Sequence, residues 1–442
     1  MFIDAFLTAG LALAQAPAPA PLVIPQPVFG VPAKMMPVEQ PPAPAPMPMG
    51  QPAPAAQPAA PLVPAPAPGY VADATATAAP PKYLAEQLLE GTRFGDYMAE
   101  RGMHLYGWTQ MSWTYGSANE SNFPQKFVDR AHEFLFNQNY IVFEKAIDTS
   151  RKEFQIGFRG DSIAPGSDAR YSLQRGLFDG QVTNHHDLYP WDSPQYYADI
   201  YMPNLIAEGT SVKVGRFYNP AGYESIMAIN TPFVTRSYGF QYNAFTFTGL
   251  LATTYLSDAV SVHYGATVGA DAFFDAPVNQ LMFLGGIKIA PKDGNSSFAI
   301  NTQITNPKYN DSQAFANYNT YEMVYTHKFD RLTFAVEASG SHMTDFPGTS
   351  GAAWWYGFAQ YFDYAVSDSV AALSRVEVWR DDKGVRIGTP ATITDVTLGL
   401  QWKPIDSVIL TPEVMYNYSK AAPFEGGKQT LFIGAVNLIL RW

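Results

Sequence analysis

From Leu105 to Trp442 the side chains change character at nearly every second position. That period limits what the chain can fold into more than any motif does. A repeat of two puts alternate residues on opposite faces of a strand. In 331–342, Leu332, Phe334, Val336 and Ala338 stand against Thr333, Ala335, Glu337 and Ser339. In 392–402, Val396, Leu398, Leu400 and Trp402 stand against Asp395, Thr397, Gly399 and Gln401. In 153–162, Phe154, Ile156 and Phe158 oppose Gln155, Gly157, Arg159 and Asp161. The pattern predicts sixteen strands: 105–115, 138–146, 153–162, 196–202, 210–217, 243–256, 258–268, 281–290, 296–306, 318–328, 331–342, 353–365, 369–379, 392–402, 407–418 and 430–442.

The links between these strands run long, short, long, short. The long ones are 116–137, 163–195, 218–242, 269–280, 307–317, 343–352, 380–391 and 419–429. The short ones include Ser257 alone, Pro291–Asn295, Phe329-Asp330, Val366–Asp368 and Lys403–Asp406. A soluble sandwich has no reason to separate link lengths in this way. A transmembrane barrel does, with short turns at one end and long loops at the other. Composition agrees. Of 442 residues only 15% are charged and 14% are aromatic, and there is no run of roughly 18 apolar residues such as a spanning helix needs. The expected fold is therefore all-β: a transmembrane antiparallel up-and-down β-barrel of sixteen strands. Its closing seam should pair 430–442 with 105–115, antiparallel, placing Trp442 near the start of the first strand. Phe432, Val436, Leu438 and Leu440 should then face lipid, and Asn437 and Arg441 the lumen.

An Arg at mid-bilayer costs about 2–4 kcal/mol, so the charged register of each strand must face inward. That rule assigns Arg159, Asp161, Lys213, Glu322 and Glu337 to the lumen. It also assigns Arg375, Glu377, Asp395 and Glu413, and it predicts a wet, charge-lined pore. Two strands resist the sorting. In 353–365, Trp354, Tyr356 and Phe358 occupy one register and Trp355 and Tyr361 the other. In 210–217, Arg216 falls with Val212 and Val214, which either a bulge at Gly215 or a place near the rim would explain.

Ahead of the barrel, 105–442, three shorter segments are expected. Residues 1–16 resemble an export signal, with an apolar core from Phe6 to Ala14 and a small-x-small end at Ala14-Gln15-Ala16. Their first residues depart from the usual pattern, carrying Asp4 and no Lys or Arg. Residues 17–81 form a Pro/Ala-rich linker, extended and unable to build a core. Residues 82–104 form a short helical leader, with Tyr83, Leu84, Leu88 and Leu89 at helical spacing. The chain has no cysteine, which removes thiolate chemistry and disulfides together. A net charge of −11 argues against nucleic acid as a partner.

The stretch Val212-Lys213-Val214-Gly215-Arg216-Phe217-Tyr218-Asn219-Pro220-Ala221-Gly222-Tyr223-Glu224-Ser225 resembles the OmpL-like β-barrel porin family of diderm bacteria. So do Thr235-Arg236-Ser237-Tyr238-Gly239-Phe240, Phe245 to Ala252, Tyr106-Gly107-Trp108 and Leu284-Gly285-Gly286. The resemblance spans about 105–442. It implies a porin of the bacterial outer membrane, with outer-membrane lipids around it and small hydrophilic solutes passing through it. A homotrimer is among the assemblies it allows. The third long loop, 218–242, is expected to fold inward as a constriction, as in trimeric porins generally, setting Glu224 and Arg236 across the lumen; the alternative is an ordinary surface loop with Glu224 and Arg236 at the rim. The interior assignment holds more acids than bases, so a slight cation preference is expected.

Other chemistry finds little support. His185-His186-Asp187 is the only His pair, and a usable metal site needs three or more converging ligands. His263 alternates with Val262 and Tyr264, which makes it a lumen residue. No nucleophile elbow, phosphate loop, dinucleotide fingerprint or calcium loop occurs. No enzymatic activity and no cofactor or metal is expected. The rival readings are a surface-display or adhesive barrel that anchors the Pro-rich segment, and an outer-membrane hydrolase.

Overall fold

The computed structural model describes residues 83–173, 175–273, 281–309 and 317–442. The expected signal at 1–16 and linker at 17–81 lie outside the described residues. The strands are β1 His104–Gly116, β2 Phe134–Lys145, β3 Gln155–Ile163, β4 Tyr196–Met202, β5 Thr210–Tyr218, β6 Thr246–Tyr255, β7 Val260–Ala270 and β8 Met282–Ile289. They continue as β9 Ser296–Ile304, β10 Asn319–Phe329, β11 Leu332–Met343, β12 Ala353–Ala365, β13 Val370–Asp381, β14 Ala391–Ile405, β15 Val408–Tyr418 and β16 Thr430–Arg441. Each strand pairs with its neighbours in sequence, and β1 closes on β16 to complete the barrel. Closure leaves no sheet edge, so every spanning strand finds its backbone partners within the wall.

The seam follows the alternation. Antiparallel pairs run from Trp108↔Arg441 to Gly116↔Ile433. Gly107 and Trp442 exchange backbone hydrogen bonds of 2.8 and 2.9 Å. Asn437 points inward, where its Oδ1 accepts from Gln110 Nε2 at 3.0 Å. Phe432, Val436 and Leu440 are exposed on the outer face. Exposed Trp113, Tyr115, Tyr416 and Tyr418 ring the long-loop end, and Phe329, Tyr364 and Trp402 the short-turn end. Amphipathic rings at both ends of an oily band are the arrangement that fits a bilayer's two interfaces.

Two local departures have physical causes. β2 begins at Phe134, four residues before the expected 138. Its pairing with β1 shifts between Gln110↔Gln138 and Met111↔Phe136, so Asn137 is an extra residue. Asn137 and Gln138 are both buried, and one inserted residue destroys the period of two that marks a strand. At Arg216 the place near the rim is the explanation, not a bulge. Pairing is unbroken from Tyr196↔Arg216 to Met202↔Thr210, and from Thr210↔Thr254 to Tyr218↔Thr246. Gly215 faces Gly249 there, with φ of +137° and +156°, and a Cβ on either would lie 2.2 Å from a backbone oxygen. Arg216, two residues before the end of β5, lies under the loop 164–195, fully buried, with Asp192 Oδ1 at 2.9 Å.

The interior is largely a core. Loop 219–245 leaves the wall at β5, crosses the barrel and returns at β6. Its Val234, Tyr238 and Tyr242 pack with Trp355, Trp379, Met415 and Ile433. Its Ile226, Met227 and Phe245 pack with Trp108, Tyr140 and Ile439. Tyr223 packs with Val324, Ala335 and Tyr361. This accounts for the aromatics in both registers of β12: Trp354, Tyr356 and Phe358 face out, while Trp355 and Tyr361 are covered by the loop.

Ahead of β1, α1 (Leu84–Leu89) and α2 (Arg93–Glu100) form two short helices at the short-turn end.

Candidate functional site

A loop inside a barrel has no strand to receive its backbone N–H groups, and each one left unpaired and buried costs free energy. Here the wall supplies carboxylates. Glu337 Oε2 accepts from Tyr223 N at 3.0 Å. Glu413 takes Val234 N and Thr235 N, both at 2.9 Å, and Thr235 Oγ1 as well. Glu377 takes Tyr238 N at 2.7 Å and Gly239 N at 2.8 Å. These two groups open α3, the single turn Tyr238–Gln241, whose N-cap is Ser237. Tyr238 OH donates to Asn417 Oδ1 at 2.9 Å, and Trp355 Nε1 donates to Tyr242 O at 3.1 Å.

Arg375 ties these contacts together. Its guanidinium donates to Asp395 Oδ2 through Nη2 at 2.7 Å and Nε at 3.0 Å. Its Nη1 donates to Glu224 Oε1 at 2.9 Å and to Thr235 O at 2.8 Å. Glu224 also accepts Ser237 N at 3.0 Å and Tyr361 OH at 3.2 Å. Arg375, Glu224 and Asp395 have no exposed side-chain surface. The opposite wall holds the loop through Gln138, whose Nε2 donates to Ile226 O at 2.6 Å and whose Oε1 accepts Ala228 N at 3.2 Å.

Loops at the long-loop end brace this arrangement. Lys126 Nζ donates to Gln241 O at 2.6 Å and lies 4.4 Å from the centre of the Tyr242 ring. Burial, aided by Arg386, lowers the Lys126 ammonium from its ordinary 10.5 to about 7. Asp168 accepts from Asn137 and Gln138, and burial raises its carboxyl from 3.8 to about 6.

The charged residues assigned to the lumen thus divide into two groups. Glu337, Arg375, Glu377, Asp395 and Glu413 point inward but are buried beneath the loop, where they secure it instead of lining open water. Asp161 is also buried, held by Arg159 Nε at 2.8 Å and Tyr140 OH at 2.6 Å. Arg236 is fully buried within the loop, its guanidinium 5.5 Å from the centre of the Phe127 ring. It therefore does not stand across open lumen from Glu224. Backbone amides and packed rings compete for these side chains, and alternation alone could not weigh that.

Arg159, Lys213, Glu322 and Glu224 border a cavity of about 390 Å³ between the loop and the wall β2–β6. Glu144 and Asp199 border it too and were missed in the sequence. Glu144 shares a face with Tyr140 and Val142, and Asp199 with Tyr197 and Tyr201. On both strands the inward face is mostly apolar or aromatic, so it gave no charged-register signal. Arg159 Nη1 meets Glu144 Oε2 at 2.9 Å. Asp199 and Lys213 are directly opposed on β4 and β5, yet no ion pair joins them. Asp199 Oδ1 has no hydrogen-bond partner, and Lys213 Nζ lies 4.7 Å from the centre of the Tyr197 ring. His263 is also inward and buried, with Nε2 unpartnered. His185, His186 and Asp187 are exposed on loop 164–195.

Residues 102–440 match the family described as "Putative beta-barrel porin-2, OmpL-like". The chain belongs to that family. It is an outer-membrane porin, so its long loops are extracellular and its short turns periplasmic. Among solved structures, OmpF from Salmonella typhi in complex with daunomycin is similar to this porin, with a TM-score of 0.52 and 11% identity over 78% of this chain and 99% of that one. The outer-membrane channel DcaP of Acinetobacter baumannii gives 0.52 at 9% identity, over 77% and 97%. OprB of Pseudomonas putida gives 0.51 at 10% identity, over 79% and 96%. At such identities the likeness is one of fold. No curated protein sequence matches the chain.

Proposed function

We propose that this porin is a passive channel for small hydrophilic solutes, with loop 219–245 as its constriction and no catalytic step. The observation that carries this reading is asymmetry. The loop is bound through Glu337, Glu377, Glu413 and Arg375 to the wall β11–β15, while polar and charged side chains of β2–β6 border a cavity on its other face. Size is selected between the loop and that wall. Charge is selected by the side chains not already paired, chiefly Asp199 and Lys213. With one acid against one base there, the preference is weak, since Glu322 is held by Asn243 and Lys145 also borders the cavity. Residues 1–16 serve as export signal and 17–81 as a spacer on the periplasmic side.

Purified full-length protein in planar bilayers tests the reading. The expected result is stepwise ohmic conductance, with liposome swelling in small sugars that slows steeply as the sugar grows. Bilayer insertion without conductance, and no swelling, would leave only the anchoring barrel.

A further inference from the structure

Tyr83 belongs to the leader, upstream of β1, yet its ring borders the same cavity as Arg159 and Lys213. It stacks on Tyr106 with centroids 4.3 Å apart and planes 9° apart. Tyr106 is an inward residue at the periplasmic end of β1, and its OH donates to Glu144 Oε1 at 2.8 Å. Glu144 in turn meets Arg159. The Arg441 guanidinium lies 5.1 Å from the centre of the Tyr83 ring. One turn on, Glu86 Oε1 lies 2.7 Å from His104 Nδ1. In the remainder of the leader Met98 is buried, while Leu84, Leu88, Phe94 and Tyr97 are exposed. Tyr83 and Glu86 fasten the first turn of the leader to the barrel.

We infer that Tyr83 is a selectivity-determining residue of the channel, a collar brought by the leader to the periplasmic end of the cavity. The inference rests on the reading of that cavity as the solute path. A solute leaving the cavity passes between the Tyr83 ring, the Glu144–Arg159 pair and the wall β4–β5. The ring narrows that exit. Its attachment is the stack on Tyr106, the Arg441 cation over the ring and the Glu86–His104 contact, side-chain contacts only, so it can be displaced without breaking a ladder hydrogen bond.

Because the natural chain has no cysteine, Tyr83→Cys carries a single thiol. In full-length protein, its labelling by a small methanethiosulfonate should be several-fold slower than that of Leu88→Cys, which is exposed. This holds in detergent and needs no current. In bilayers, Tyr83→Ala should raise single-channel conductance roughly 1.5- to 2-fold, because the collar adds resistance in series with the loop constriction. Labelling of Tyr83→Cys with an anionic methanethiosulfonate should lower it. Glu86→Ala, which removes the side-chain contact to His104 at the start of β1 but no ladder hydrogen bond, should reproduce part of the Tyr83→Ala rise. Equal labelling rates at 83 and 88 would overturn the docking. Conductance in Tyr83→Ala equal to wild type would overturn the collar and leave the channel reading intact. Absence of wild-type conductance would instead remove the channel reading, and the collar with it, even if labelling showed the ring docked.

Discussion

Arg375 is the residue at which wall and loop are joined by charge. It binds Asp395 on the neighbouring strand and Glu224 and Thr235 on the loop, all out of water. Removing one member of such a set strands the others, which costs about 3–5 kcal/mol. Arg375→Met should therefore lower the barrel's unfolding midpoint in urea, read by heat-modifiable electrophoretic mobility, and add current noise as the loop loosens. An unshifted midpoint would mean that Glu224 and Asp395 are hydrated and the site is open. Glu377→Gln is a finer probe. The carboxylate accepts two backbone N–H groups at once, while an amide has only one oxygen to offer. One donor is left facing an NH₂, and a loss of about 1–3 kcal/mol is expected. Neither role was legible in the sequence. Alternation pointed both side chains inward, but it carries no information on what meets them there.

At the scale of elements, the strands were readable because each obeys a local rule, and the inward loop only partly so. Its length and place in the order hinted at a constriction. Its anchoring depends on partners more than 100 residues away, such as Glu377 for Tyr238 and Glu413 for Val234. The same is true of Lys126, which reads as a surface lysine and is buried against Gln241 and Tyr242. Its lowered value, about 7, has a consequence for stability. Between about 7 and 10.5 the unfolded chain carries a proton that the folded chain lacks. Stability from this group therefore rises with pH across that window, and the gain is lost as pH falls through about 7. Lys126→Met should flatten the midpoint–pH curve there relative to wild type. Identical slopes in the two proteins would show that Lys126 stays protonated when folded, with water reaching it.

For the whole molecule, alternation and link lengths were enough to read the barrel, its closure and the outward face of β16, since lipid on one side imposes one rule on every strand. What they could not fix is where the net charge of −11 acts. Counted along the inward registers, acids outnumber bases and imply a slight cation preference. The fold changes that count. Glu337, Glu377 and Glu413 spend their charge on loop amides, Asp395 and Glu224 on Arg375, and Asp161 on Arg159. Glu322 is held by Asn243, so on the proposed path the field that a passing ion meets comes mainly from Asp199 and Lys213, close to balance. In a tenfold salt gradient the wild-type reversal potential should be small. Lys213→Glu should move it strongly toward cation selectivity, and Asp199→Asn toward anions. Glu413→Gln, equal in formal charge change to Asp199→Asn, should leave it nearly unmoved because its carboxylate is already buried against the loop. A Glu413→Gln shift as large as that of Asp199→Asn would mean that the loop does not shield this wall and that the ion path runs along β13–β15 instead.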